Sequence, residues 1–150
     1  MPYVSVQSAE FDIKAALERL EMAGAGAQVS FTGVVRQNEA NDLIALEIEH
    51  YPSMTQKALE GIAETAMSRF KLIDAVIIHR VGRLELGADI MMVGASAQHR
   101  KAAFEGADYM MDYLKSRAPF WKKEHMTQGS AWVAARQEDE AELSRWDLNR

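Results

Sequence analysis

The 150-residue sequence contains no cysteine. It therefore has no disulfide, no thiolate metal ligand, no cysteine nucleophile and no persulfide carrier. If the protein handles sulfur, another molecule must deliver it. The sequence also lacks any run of about 18 uncharged apolar residues, and its N-terminus lacks a basic segment followed by an apolar one. These two absences predict a cytoplasmic protein that does not enter a membrane.

Basic residues are in the minority, because 17 lysines and arginines stand against 22 acidic residues and give a net charge of −5. A general electrostatic attraction to nucleic acid is thus disfavoured, and a site for an anion must be local. The length is close to the commonest domain size, and 48% hydrophobic residues are enough to fill one core. We expect a single domain over residues 1–150.

Hydrophobic periodicity predicts an α+β domain with a mainly antiparallel sheet. Four helices are expected. The first runs from Asp12 to Gly24, and the second runs from a capping box at Ser53 and Gln56 through Phe70. The third carries the apolar stripe Ala103, Phe104, Ala107, Met111 and Leu114, and the fourth is short and covers 138–146. Strands are expected at 27–35, 43–51, 73–81 and 88–95. The short polar segment between the first two strands predicts an antiparallel hairpin.

Two patterns that often carry chemistry are weak in this sequence. Residues 94–98 follow a strand and open a helix, but the second glycine of a nucleophile elbow is missing, so Ser96 is expected to cap the helix. The four histidines are widely spaced, with no pair at metal-ligand separation on a helix. We therefore expect no metal site and no cofactor.

The densest chemical feature is the segment 115–123, in which four cations surround Phe120 and Trp121. It is compatible with a base-stacking patch for nucleic acid, with a pocket for a small anionic heterocycle walled by either aromatic residue, or with a solvated basic loop. Because neighbouring positive charge lowers the pKa of a lysine, Lys115 and Lys122 are candidate acid–base or nucleophilic groups.

A second cationic group, His99, Arg100 and Lys101, lies near the expected start of a helix. Free backbone N–H groups and the helix dipole favour a phosphate or carboxylate at such a position. A solvated helix end fits the pattern equally well. The spacing alone leaves both interpretations open.

Several segments in a fixed order resemble the family of the large, catalytic subunit of molybdopterin synthase. They are Phe31–Arg36, Leu46–Tyr51, Ile78–Gly82, His99–Arg100, Ala103–Glu105, Met111–Lys115 and Arg117–Glu124. Residues 37–42 depart from the family pattern, because this segment is short and contains no glycine. The first 25 or so residues and those after Arg136 carry little of the resemblance.

The resemblance implies an α/β hammerhead-type fold and a sulfurtransferase. The enzyme would move two sulfurs from the C-terminal thiocarboxylate of a small ubiquitin-like sulfur-carrier subunit to cyclic pyranopterin monophosphate, which gives the dithiolene of molybdopterin. It also implies a homodimer at the centre of a heterotetramer. The residues at the catalytic positions are Lys115 and Lys122, and those at the substrate-binding positions are Arg36, His99, Arg100 and Arg136.

Two other classes of function compete with this one. The basic aromatic segment 115–123 could grip single-stranded RNA or another anionic ligand in a domain without catalysis. The chain could also be a silent subunit that only docks a partner.

The separation of the candidate residues along one helix predicts how the site is assembled. An unbroken helix from Arg100 to Lys115 would place these residues roughly 22 Å apart along its axis. A pterin monophosphate is too short to touch both. A twofold dimer that brings the helix start of one subunit beside the helix end of the other would solve this, with His99, Arg100 and Arg136 acting in trans.

Overall fold

The chain forms two four-stranded sheets with helices packed against them. The computed structural model describes residues 1–22, 24–134 and 137–147. In this part of the chain the strands are β1 (Tyr3–Gln7), β2 (Ala27–Val34), β3 (Leu43–His50), β4 (Asp74–Arg80), β5 (Gly82–Glu85), β6 (Asp89–Ala97), β7 (Phe120–Met126) and β8 (Gly129–Trp132). The helices are α1 (Ile13–Met22), α2 (Pro52–Phe70), α3 (Arg100–Arg117) and α4 (Gln137–Asp147).

The first sheet has the strand order β1-β4-β6-β2, and the second has the order β5-β3-β7-β8. Among the strand pairs of the described residues, β1 with β4 is parallel and the others are antiparallel. The predicted α+β class with mainly antiparallel pairing is therefore confirmed. The strands are divided between two sheets instead of forming one.

The predicted hairpin between residues 27–35 and 43–51 is wrong. Strand β2 pairs with β6 in the first sheet, whereas β3 pairs with β5 and β7 in the second. The polar residues between them close a loop of their own, because the Gln37 Oε1 accepts a hydrogen bond from the N–H of Leu43 at 2.7 Å and the Asn38 Nδ2 donates to Asp42 at 2.9 Å. This loop carries the chain from one sheet to the other.

The predicted capping box at Ser53 and Gln56 does not form. Helix α2 begins one residue earlier, at Pro52, whose missing N–H and fixed φ suit a first helical turn. The Gln56 side chain instead accepts from the N–H of Val6 at 3.2 Å and donates to the carbonyl of Val4 at 2.9 Å. It ties α2 to the edge strand β1.

Helix α3 runs without a break from Arg100 to Arg117, as its apolar stripe predicted. Phe104 departs from the stripe, since 60% of it is exposed. The expectation that Ser96 caps this helix is wrong. Ser96 lies in β6, fully buried, and its hydroxyl donates to the carbonyl of Asp74 at 3.5 Å. The residue before the helix is His99, which makes no side-chain cap hydrogen bond.

The main core lies between the first sheet and helices α2 and α3, while α1 covers the opposite face of the sheet. Gly94 permits the close approach of α1, because a Cβ at that position would lie 2.7 Å from the Cδ1 of Leu20. Helix α4, predicted over 138–146, folds back onto α3. Its buried Trp146 packs against Phe70 and Tyr109, with ring centroids 5.5 and 5.4 Å apart.

Candidate active site

The two predicted catalytic residues, Lys115 and Lys122, are brought together by a sharp change of chain direction between α3 and β7. Lys115 lies in the last turn of α3, and the helix ends at Arg117, two residues before Pro119. The chain then enters β7, where Lys122 stands opposite Ile48 of β3. The two lysine side chains are hydrogen-bond neighbours. The predicted pair of catalytic candidates therefore meets at one place.

The pKa of Lys122 is lowered to about 8 from its ordinary value of 10.5. Burial is the largest cause, followed by the positive charge and hydrogen bond of Lys115, while the carboxylate of Asp139 acts in the opposite direction. With such a pKa, about a tenth of Lys122 is a neutral amine at pH 7. Lys122 can therefore accept a proton or act as a nucleophile near neutral pH.

The substitution Lys122→Met is expected to stabilise the fold at pH 7 by about 1–3 kcal/mol. The folded-state pKa of Lys122 lies below its ordinary value, so folding disfavours the protonated amine. This cost is fully present below pH 8 and disappears as the pH rises towards 10.5. Chemical denaturation of both proteins at pH 7 and pH 10 measures it. An equal stability difference at the two pH values would contradict the assignment.

The two aromatic residues after Pro119 point to opposite sides of β7. Phe120 stacks on the ring of His79 in the first sheet, with centroids 3.9 Å apart and planes inclined by 20°. Trp121 packs edge-on against Tyr51 at 4.7 Å. A cavity of about 330 Å³ opens on that side and is lined by Glu49, His50, Tyr51, Trp121 and Trp132. Trp121 is thus the aromatic residue that walls a cavity.

His79 is a member of this neighbourhood that the sequence did not single out. Burial lowers its pKa to about 4, and the positive charges of Lys122, Lys115 and His50 act in the same direction. The ring is therefore neutral at pH 7. The signal available in the sequence was only the resemblance of Ile78–Gly82 to a family segment, which assigned His79 no role.

His99 and Arg100 lie at the opposite end of α3 from Lys115. Both are exposed, and the first turn of the helix contains no acidic residue. Its unpaired backbone N–H groups and positive dipole end suit an anion. Since the helix is unbroken, Arg100 and Lys115 are separated by roughly 22 Å along its axis. One chain therefore does not bring His99 and Arg100 to the lysines.

Arg36 is exposed at the point where the chain leaves the first sheet. The preceding residue, Val35, is fixed by backbone hydrogen bonds, because its N–H donates to Ala88 at 2.9 Å and its carbonyl accepts from Gly87 at 2.8 Å. Arg36 therefore projects from a held backbone and not from a free loop. Arg136, the last predicted substrate-binding residue, lies outside the described residues.

Within the described ranges, histidine, aspartate and glutamate side chains form no group of three or more that is arranged to hold a metal ion. Of the helices in those ranges, none combines the length and the apolar character needed to cross a membrane.

Comparison with known families and proteins identifies the class. The family model described as MoaE protein matches residues 6–117. The molybdopterin synthase catalytic subunit of Cereibacter sphaeroides is 53% identical over 145 residues, which cover 95% of this chain and 99% of that protein. The chain belongs to the MoaE family.

Solved structures agree with this assignment. The molybdopterin biosynthesis MoaE protein from Burkholderia ambifaria is 44% identical, with a TM-score of 0.83 over 98% of this chain and 99% of that one. A Helicobacter pylori structure, described as the complex of subunits 1 and 2 of molybdopterin-converting factor, has a TM-score of 0.76 at 20% identity and covers 89% of this chain and 91% of that one. At that identity the second likeness supports the fold alone.

Proposed function

We propose that the protein is the catalytic subunit of a molybdopterin synthase. It transfers two sulfurs from the C-terminal thiocarboxylate of a small sulfur-carrier subunit to cyclic pyranopterin monophosphate and so forms the dithiolene. The observation that carries this proposal is the contact of Lys115 with a half-buried Lys122 whose pKa is about 8, at the two positions to which the resemblance assigns catalysis. The absence of cysteine fits a sulfur donor that is a separate protein.

In the proposed reaction the thiocarboxylate sulfur attacks a carbon of the pterin side chain while the bond from that carbon to an oxygen of the cyclic phosphate breaks. The resulting thioester then passes the carrier's acyl group to water or, briefly, to a lysine amine, and the sulfur stays on the pterin as a thiol. Each step moves a proton at a site that holds two amines of different character. Lys122, whose pKa is about 8, serves as proton acceptor or acyl acceptor. Lys115, exposed and adjacent, supplies positive charge for the thiocarboxylate and the developing oxyanion.

The phosphate of the substrate is held by cations outside the lysine pair. Arg36, His99, Arg100 and Arg136 are the proposed ligands, and their charge helps the cyclic phosphate oxygen to leave as the ring opens. Because Arg100 lies roughly 22 Å along α3 from Lys115, His99 and Arg100, together with Arg136, come from the subunit opposite to the one that supplies the lysines of the same site. The proposal therefore requires a homodimer.

Exposed apolar side chains on β2 and α3 support a contact between two copies of the chain. Strand β2 is at the edge of the first sheet and exposes Phe31 and Val34, each by 47%. Phe104 is exposed by 60% on α3, one turn after Arg100. Exposed apolar groups beside an open strand edge are typical of interaction surfaces. A second copy that packs there lies next to the proposed phosphate ligands.

The carrier subunit completes the assembly as a heterotetramer. We propose that its terminal glycines enter the site as an extended segment and reach Lys115 and Lys122, since a chain without side chains fits a narrow passage.

Replacement of the carrier's last glycine by valine is expected to reduce sulfur transfer by about 10²-fold or more, since a misplaced reacting group loses most of the benefit of positioning. Docking of the globular carrier should stay within about threefold of normal, because its folded surface is unchanged. Single-turnover product formation and calorimetric titration measure the two effects. Normal turnover with the valine carrier would be incompatible with an extended tail that enters the site.

The alternative, a domain that grips single-stranded RNA through residues 115–123, is less consistent with how this segment is arranged. Its cations face different partners: Lys122 meets Lys115, Lys123 lies 5.3 Å from the ring of Trp132, and Arg117 pairs with Glu140 at 2.8 Å. They do not form a continuous basic track with stacked aromatics. RNA binding would weaken steeply with salt, whereas capture of one phosphorylated pterin would depend on salt only mildly.

The deciding experiment incubates the protein with thiocarboxylated carrier and cyclic pyranopterin monophosphate and measures dithiolene product by mass spectrometry. Product that requires all three components supports the proposal. Carrier binding without product would identify a silent docking subunit. Binding of RNA with a steep salt dependence, and no product, would favour the alternative.

A further inference from the structure

His79 lies between the two sheets, and the proposed reaction gives this residue no role. It lies near the end of β4, pairs with Val6 of β1 and Met91 of β6, and is only 2% exposed. Its ring leaves the first sheet and stacks on Phe120, the first residue of β7 in the second sheet. The stack therefore joins the sheets where the catalytic strand begins.

The orientation and protonation of the imidazole are fixed by its surroundings. Its Nδ1 lies 2.8 Å from the carbonyl oxygen of Arg80. A carbonyl can only accept a hydrogen bond, so Nδ1 carries the hydrogen and Nε2 keeps the lone pair of the neutral ring. The flat, uncharged face of the ring then lies almost parallel to Phe120. The histidine is held on one side by backbone and presents a rigid surface on the other.

Strand geometry links this stack to the proposed catalytic amine. Side chains two residues apart point to the same face of a strand, so Lys122 projects on the same side of β7 as Phe120. Lys122, Lys115 and His50 each act electrostatically on His79, and His50 stands opposite Phe120 in the register of β3 with β7. Asp139 acts on Lys122 from helix α4. A displacement of Phe120 would therefore move Lys122 relative to Lys115 and admit water to it.

We propose that His79 is a positioning residue: its neutral ring holds Phe120, and through Phe120 the start of β7, so that Lys122 is kept against Lys115 in a water-poor setting. An ordinary core histidine would contribute stability alone. The proposal rests on the proposed function only for the effect on turnover, because the coupling between His79 and Lys122 is measurable without any substrate.

The test compares variants that keep or remove the stacked ring. His79→Phe keeps an aromatic face for Phe120, while His79→Leu fills much of the space without a ring. His79→Met is carried in parallel and replaces His79→Leu if that protein does not fold, since methionine adapts to irregular cavities. The matched control is His125→Phe, a histidine of the same strand as Lys122 that pairs with Glu47 on the side of β7 away from His79.

Competitive labelling with acetic anhydride across pH 6–11, followed by peptide mass spectrometry, gives the titration midpoint of Lys122 in each protein. His79→Leu is expected to raise this midpoint by about one unit, because water that reaches Lys122 removes the main cause of its shift. The value of kcat at pH 7 should fall by about 10-fold, while KM for the pterin stays within about twofold. His79→Phe should restore both values, and His125→Phe should change neither.

An unchanged Lys122 midpoint in His79→Leu would overturn the proposal, whatever happens to the melting temperature or to turnover. An equal shift in His79→Leu and His79→Phe would also overturn it, because the stacked ring would then not be the connection. If wild-type protein forms no dithiolene, the proposed function fails, but the labelling experiment still decides whether His79 controls Lys122.

Discussion

Lys115→Ala is expected to lower the rate of dithiolene formation by about 10²- to 10³-fold, the usual loss when a group that stabilises developing negative charge is removed. Two effects contribute. The site loses the ammonium group that attracts the thiocarboxylate, and Lys122 loses the neighbouring charge that helps to lower its pKa. Lys122 is then neutral less often at pH 7. Single-turnover mass analysis with thiocarboxylated carrier measures the rate.

The same substitution should leave the fold intact. Lys115 is exposed in the last turn of α3, and alanine has a high helix propensity. Lys57→Ala is the matched control, because Lys57 is also an exposed lysine on a helix but is not part of the proposed site. A purified Lys115→Ala protein that keeps more than half of the normal rate would remove Lys115 from the catalytic machinery.

The helices were predictable from the sequence because their signals are local. The Asp12 Oδ1 accepts a hydrogen bond from the N–H of Ala15 at 3.2 Å, as a residue before the first helical turn should. The stripe that includes Ala103 and Leu114 is buried in the observed α3. A side-chain cap and a 3.6-residue period are both properties of a short stretch of chain, and no distant contact is needed to interpret them.

Strand pairing was not predictable in the same way, because partners are chosen by the whole fold. The segments 27–35 and 43–51 have the right alternation and a short connection, yet they belong to different sheets. Strand β7 was missed altogether. Its residues Lys122, Glu124 and His125 are polar, and its hydrophobic pattern is too weak to indicate a strand until β3 and β8 pair with it.

In the candidate site, too, the local features were predictable from the sequence and the long-range contacts were not. A cluster of cations in the sequence indicated that Lys115 and Lys122 could share a site, and the fold places their side chains in contact. The main cause of the lowered pKa of Lys122, its burial, could not be predicted, because burial depends on residues that are far away in sequence. The stacking of His79 on Phe120 likewise joins residues that are 41 positions apart, 120 against 79. No local pattern indicates such a contact.

The second large effect expected concerns mixed dimers of two inactive proteins, Lys115→Ala and Arg100→Ala. Each homodimer should be almost inactive, because its substitution is present in both of its sites. In a mixed dimer with sites shared between subunits, one site carries both substitutions and the other carries neither. If half of the dimers are mixed, about a quarter of wild-type activity should return. Native mass spectrometry counts the mixed dimers, and product formation gives the activity.

A reciprocal mixture tests the same geometry with the opposite result. Wild-type chains are mixed with chains that carry both Lys115→Ala and Arg100→Ala. Arg100 and Lys115 of the same chain are roughly 22 Å apart along α3. If each site combines Arg100 of one subunit with Lys115 of the other, every site of a mixed dimer contains one substitution, and mixing lowers the activity. If both residues of a site come from one subunit, the mixed dimers keep one intact site and no activity is lost. Failure of the first mixture to recover activity, with no loss in the second, would place both residues in the site of a single chain.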